Sequence, residues 1–284
     1  MINYFEALEA KTLVVLGEIY KRGPVTKKEI QLIMNLKLTT LNRMMKVLEE
    51  RKLIVPLGEA ESTGGRKAIT YDISHQDFYL IGIDLSRTYV KIVLTNLKLS
   101  VLNYQLFRLD ERYSAERTLD EIDFIISQLL KENAVQKDQI LGIGIGTIGP
   151  LDREQGVMLN PEGFLNQNWG NVPLKAMIEN RLSIPCFIDN GANNAALLEY
   201  RFGIGKGRRS IAYIHCGIGI RSAVIKDGII IRSLNDQEDA FSHMIVQMRD
   251  TDGNGTIESF STLGAMIRLI NKKLNLVNDK LNET

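Results

Sequence analysis

The sequence predicts an α/β protein in two parts: an N-terminal winged helix-turn-helix over residues 1–75 and a larger mixed domain over 76–284. Three observations carry this. Apolar residues recur at helical spacing through the first fifty residues, with stop and start signals between helices. A Gly64-Gly65 turn then separates two short strand-like runs. Beyond Phe78, apolar strand runs alternate with helical segments, and glycine-rich turns follow the strands, which is the pattern of an α/β domain.

From Ala7 to Tyr20, Leu8, Leu13, Leu16 and Ile19 mark the apolar face of a first helix. "RGPV", Arg22 to Val25, breaks it. Thr26, with Glu29 three residues on, opens a second helix as a capping box. The third helix lies in "NLKLTTLNRMMKVLEERKLI". Leu41, Met45 and Leu48 share one face of it, and Thr39, Arg43 and Lys46 fall roughly opposite. "IVPLGEAESTGGRKAITYDI" reads as two strands around the glycine turn. Three helices and a hairpin in this order make a winged helix.

Basic residues concentrate on the third helix and the hairpin tip: Lys37, Arg43, Lys46, Arg51, Lys52, Arg66 and Lys67. In a winged helix the third helix enters the major groove and its exposed side chains reach base edges. Lys37, Thr39, Thr40, Asn42, Arg43 and Lys46 are the candidates. Arg66 and Lys67, beside two glycines, are placed to reach phosphates or the minor groove. A solvated basic helix in a protein-interaction module is the bland alternative. The wing beside the helix favours DNA.

The net charge over 284 residues is only +1, so nucleic-acid binding has to come from a local patch. Hydrophobic content of 44% and charged content of 24% are ordinary for a globular chain. No apolar run reaches the ~18–20 residues of a membrane helix, and no signal peptide is evident, so a cytoplasmic location is expected. The two cysteines, Cys186 and Cys216, sit in apolar runs and are expected to be buried, reduced thiols.

In the second domain, "FYLIGIDLSRTYVKIVLTNLKLSVLNYQLF" reads as three strands with a polar turn at Ser86–Tyr89. "ILGIGIGTIGPLD" is a strand entering a glycine-rich turn. "IPCFIDNGANNAALLEYRFG" is a strand and then a helix, and "SIAYIHCGIGIRSAVIKDGII" is a hairpin. Backbone N–H groups in such turns can face a phosphate or a sugar. Singly each turn is weak evidence, because glycine also serves tight turns for steric reasons.

Taken in order, "STGGRK", "IGIDLSRTYVKIVL", "GIGIGTIGPLD", "VPLKAMIENRLSIPCFIDNGANNAALLEYRFGIGKG" and "YIHCGIGIRSAVIKDG" resemble the ROK family of sugar kinases and sugar-responsive repressors. The resemblance covers nearly the whole chain. The N-terminal winged helix belongs to the repressor branch. The fold implied is an actin-like, ribonuclease-H-like pair of lobes with a sugar and a nucleotide in the cleft.

Four departures from the kinases bear on function. Gly191 stands where the kinases have the aspartate that takes the proton from the sugar hydroxyl, a group that must sit within ~3 Å of that proton. Their phosphate turn, Asp-x-Gly-Gly-Thr, here reads Asp84-Leu85-Ser86-Arg87-Thr88. Their zinc motif is degenerate: His243 remains, but the cysteine positions read roughly as Asp250, Asp252 and Thr256, a poor zinc site. The family's further block carrying adenosine-contacting glycines is missing after "STLGAMIRLINKKLNLVNDKLNET", so an incomplete second lobe is expected.

The resemblance implies a sugar held by Asn190, His243 and Glu258. Asn190 has an equal alternative as a helix cap, and capping is the better reading of Asn193 or Asn194. His243 has its own alternative as a packed strand-end histidine. "DTDGNGTIESFS", Asp250 to Ser261, matches the first half of a calcium loop but has Ser261 where a bidentate glutamate belongs. The expectation is therefore no cofactor: zinc absent, calcium weak at most. The whole reads as a repressor of carbohydrate-use genes without kinase activity, a homodimer on operator DNA, responsive to a sugar or sugar phosphate, with no membrane partner. The alternatives are a kinase with an unorthodox base, and a regulator whose sugar domain is only a dimerisation scaffold.

Overall fold

The computed structural model describes residues 8–59, 68–217, 219–232, 244, 256, 262, 265–267 and 269–273. Its Cα packing divides the chain into two compact units. One comprises residues 1–145 and 175–187, the other 146–174 and 188–284.

The first unit opens with α1 (Ala10–Arg22), β1 (Val25–Thr26), α2 (Lys27–Met34), α3 (Leu38–Glu50), β2 (Ile54–Glu59) and β3 (Ile69–Ile73). α1 buries Val15 and Ile19 and stops at Gly23, whose φ of 78° suits a residue without a side chain. Thr26 caps α2. Its side chain accepts from the Glu29 N–H at 3.2 Å, and Glu29 accepts from the Thr26 N–H at 2.7 Å. That carboxylate is held below its usual range, chiefly by the Thr26 backbone and hydroxyl. α3 buries Leu41, Met44, Met45 and Leu48, a 3–4 residue spacing that confines burial to one face. β3 lies between β1 and β2, antiparallel to both.

Next come β4 (Tyr79–Leu85), β5 (Tyr89–Asn96), β6 (Val101–Arg108), α4 (Ala115–Glu132), β7 (Ile140–Thr147), β8 (Leu151–Asp152), β9 (Val157–Met158), α5 (Leu174–Leu182) and β10 (Cys186–Asn190). β4, β5 and β6 form an antiparallel meander, and the five-stranded sheet has the order β10-β7-β4-β5-β6. Placing β7 next to β4 requires a crossover, which α4 supplies. α4 turns Leu119, Ile122, Ile125, Ile126 and Leu129 inward. Arg181 of α5 reaches Glu116 and Asp120 of α4.

One apolar core runs from the helical module into this sheet. It joins Val15, Ile30, Leu41, Met45 and Ile73 to Phe78 and Leu97, with Leu80 and Leu141 packed against it.

The second unit holds the paired β8 and β9, then α6 (Gly191–Arg201), β11 (Ser210–Cys216), β12 (Ile220–Lys226) and β13 (Ile229–Ile231). α6 packs on the antiparallel β11-β12-β13 sheet through Ala192, Ala196, Ala223 and Ile225. Alanines on the helix allow close approach to the strands. Residues 265–267 and 269–273 are helical.

The structure corrects two sequence expectations. Cys186 is buried as expected, but Cys216 is exposed, because it is the last residue of β11, which lies at the edge of its sheet among the described residues. Asn190, not Asn193 or Asn194, caps α6, because the helix begins at Gly191 and only Asn190 precedes it. The expected strands and the third helix are otherwise in place. The first helix is described from Ala10 onward.

Candidate functional site

Two groups of side chains stand out, each within one unit. On α3, Lys37, Thr39, Asn42, Arg43 and Lys46 are exposed and Thr40 is half-buried. They lie away from the buried face, so the helix presents a polar and basic surface. Arg43 is engaged edge-on by Glu9, which the sequence reading missed. Nη1 donates to Oε1 at 2.9 Å and Nη2 to Oε2 at 3.0 Å. Lys46 lies 3.6 Å from Glu50, one turn on. Arg66 and Lys67 lie outside the described residues.

The second group sits where β10 passes into α6. Asn190 is 2% exposed and its side chain accepts from the Ala192 N–H at 3.0 Å. Asp189 is the hub. Its Oδ1 accepts from the Asn190 N–H at 2.8 Å, from Asn193 Nδ2 at 3.3 Å and from Arg232 Nη1 at 2.9 Å. Its Oδ2 accepts from Arg232 Nη2 at 2.7 Å. Burial works to raise this carboxyl's pKa, but the Arg232 guanidinium and the amide donors outweigh it and hold the group below the usual range. A general base works best with a pKa near the operating pH. Asp189 is engaged by these donors and held as an anion, so it is not poised to act as a proton acceptor.

Gly191 is the first residue of α6, and its backbone does not require glycine. Among the described residues, a Cβ built there meets nothing closer than the Thr147 carbonyl oxygen, at 3.7 Å, so they leave room for a side chain. His243 and Glu258 lie outside the described residues, so of the three expected sugar contacts only Asn190 is placed. Arg232 was invisible to sequence reasoning, since it follows a hairpin 43 residues beyond its partner.

At the turn between β4 and β5, the Ser86 N–H donates to the Tyr89 carbonyl at 2.9 Å. The Tyr89 hydroxyl donates to Asp84 Oδ2 at 2.8 Å. Partial burial, then the hydrogen bond and the charge of Asp84, push the Tyr89 pKa up to about 12. The acid of this turn is thus bound to its own hairpin. Of the expected calcium segment, residues 250–255 and 257–261 lie outside the described residues. Among the described residues no group of three or more His, Cys, Asp or Glu side chains could hold a metal ion. Among them also, no helix is long and apolar enough to cross a membrane.

The chain is 28% identical over 277 residues to the xylose repressor of Caldicellulosiruptor bescii, covering 96% of this chain and 68% of that one. It is 26% identical over 264 residues to the xylose repressor of Bacillus subtilis (92% and 67%). It is 24% identical over 257 residues to the N-acetylglucosamine repressor of Escherichia coli O157:H7 (90% and 62%). Its fold matches that of a ROK family transcriptional regulator, a homologue of the Escherichia coli MLC protein, with a TM-score of 0.74 at 18% identity, over 94% of this chain and 67% of that one. It also matches a ROK family glucokinase from Streptomyces griseus, solved with glucose and AMPPNP, with a TM-score of 0.58 at 24% identity (71% and 62%). The ROK family model matches residues 80–256, more than half of the sequence. The chain belongs to the ROK family.

Proposed function

We propose that this protein is a sugar-responsive transcriptional repressor of carbohydrate-use genes that binds operator DNA and does not phosphorylate sugar. The observation that carries the reading is the polar and basic face of α3, set opposite that helix's buried face. The order α1, α2, α3, β2, β3 is that of a winged helix-turn-helix, in which α3 is the recognition helix. Lys37, Thr39, Thr40, Asn42, Arg43 and Lys46 supply its groove contacts, and Arg66 and Lys67 its wing contacts. Named relatives across most of the chain's length are sugar-linked repressors.

A homodimer follows from the expected operator symmetry, since half-sites one helical turn apart match a two-fold protein. The effector is a sugar or sugar phosphate held by Asn190, His243 and Glu258, without zinc. The kinase alternative is disfavoured by Gly191 and by the engaged state of Asp189. The scaffold alternative draws support from Asn190, whose side chain already caps α6.

The test is operator binding by fluorescence anisotropy across a sugar panel, with ATP turnover measured alongside. Sugar-dependent release with no turnover supports the proposal. Turnover with any sugar refutes the non-enzyme reading, and an operator affinity that no sugar shifts leaves the scaffold reading in its place.

A further inference from the structure

In unit 1 the segment that joins the helical module to the five-stranded sheet is short and tied down. Only residues 74–78 separate β3 from β4. The Ser74 N–H donates to the Leu53 carbonyl at 3.0 Å, and the Ser74 hydroxyl donates to Asp77 Oδ2 at 2.9 Å. Lys52 lies 3.5 Å from the same carboxylate. Gln139 Nε2 donates to the Asp77 carbonyl at 3.2 Å. A flexible tether would be rich in glycine and serine and free of such bonds.

The turn between β5 and β6 makes the second attachment. The Asn96 side chain shapes it, accepting from the Lys98 N–H at 2.9 Å and the Ser100 N–H at 3.0 Å. Two adjacent residues of this turn then enter the module. Leu97 joins the module's own core. Lys98 extends its ammonium to Asp72 of β3, the middle strand of the module's sheet. Asp72 is 1% exposed, a carboxylate almost wholly out of water.

A buried charge is costly unless paired, and apolar residues of similar size would often hold two surfaces together as well. The core around Leu97 and Phe78 already supplies apolar adhesion. What the ion pair adds is direction: Lys98 is 39% exposed and keeps water wherever the turn lies, but the buried Asp72 carboxylate, held on one side by the Ile73 N–H, gains its countercharge when strand and turn are in this position. We infer that Asp72 and Lys98 are a positioning pair that locks the N-terminal module to the five-stranded sheet, so that the two turn as one body. An effector signal then reaches α3 by reorienting that whole body, not by loosening the module on its stalk.

The consequence for operator binding rests on the function proposed above. The locking itself does not, and a test without DNA separates the two. Spin labels are placed at Lys28→Cys on α2 and Phe124→Cys on α4, both exposed, in the full chain carrying Cys216→Ser. The distance between them is read by electron–electron resonance. One narrow distribution is expected, unchanged when operator DNA is added. Lys98→Met should broaden it and remove amide-exchange protection from Ile69–Ile73, while Lys98→Arg should keep both. A broad or multiple distribution in the chain with Lys98 intact would overturn the inference, whether or not any variant folds. So would an unaltered distribution in Lys98→Met.

Discussion

Arg43 of α3 and Glu9, the residue before α1, form a two-point ion pair, guanidinium edge to carboxylate. Both side chains are more than half exposed, so the pair contributes only ~0.2–1 kcal/mol to folding. DNA can therefore compete for Arg43 at low cost. Arg43→Ala should weaken operator binding by about 1–3 kcal/mol and relax sequence preference, with little change in melting temperature. Arg43→Lys should not restore it, because an ammonium lacks the planar fork. Anisotropy against operator and scrambled duplexes reads both effects. Equal losses on the two duplexes would remove Arg43 from base reading.

Arg66 and Lys67 should act differently. Replacing either with alanine should weaken binding to every sequence and lower the slope of log affinity against log salt by about 1, since a phosphate contact releases counterions without reading bases. An unchanged slope would take these residues off the phosphates.

Gly191 can be filled. Gly191→Ala should be tolerated and should raise stability by roughly 0.4–1 kcal/mol, because the alanine fits and the unfolded chain loses freedom. Denaturant midpoints measure this. Gly191→Asp should fold too, since an acid in the first turn suits the helix dipole. It should still form no sugar phosphate with ATP, because the Asp84 turn retains side chains at Ser86 and Arg87 and is bound to Tyr89. Product from that variant alone would mean that the single residue was the whole obstacle.

The Asp189–Arg232 pair sets a pH dependence. The folded pKa of Asp189 lies below its ordinary value of 3.8. The pair's contribution is thus fully present above pH 3.8 and is lost as the pH falls through the folded pKa. Arg232→Met should cost roughly 1–3 kcal/mol at neutral pH, less than the ~3–5 kcal/mol of a fully buried pair because Arg232 is 29% exposed. The gap between the two proteins should close as the pH drops through this window. Melting curves from pH 2 to 7 decide it; a constant gap would show that the arginine acts by packing alone.

Thiol chemistry should separate the cysteines. Cys216 is exposed and should react promptly with an aromatic disulfide reagent. Cys186 is buried, and burial, with Glu179 nearby, pushes its thiol up to about 12. It should react only on unfolding. Two fast thiols in the folded protein would contradict this placement.

Local signals carried most of the fold. Capping at Thr26, the one-sided burial of α3, and the β4–β5–β6 and β11–β12 turns depend on residues close in sequence, so periodicity and turn chemistry exposed them. Neither α4 nor α5 is assigned from the sequence, although Ser114 and the spacing of Leu119, Ile122, Ile126 and Leu129 are local signals for α4. The candidate site was less legible. Glu9 finds Arg43 across 34 residues and Arg232 finds Asp189 across 43. Nothing local in a charged residue says which distant charge it will meet. The sequence raises Gly191 as an expected vacancy through a family resemblance; that Asp189 is engaged by Arg232 is visible only in the structure.

Asn190 carries two demands, and they are not equally informative. The helix that starts at Gly191 needs an acceptor for the Ala192 N–H, and Asn190 provides it whether or not a sugar ever arrives. Losing that cap would cost about 1 kcal/mol, so folding alone gives this position a use for asparagine. An asparagine here is therefore explained by α6 with or without an effector, and by itself does not discriminate between the two. Gly191 is the reverse case: among the described residues the fold has space for a side chain there, so α6 itself does not call for glycine.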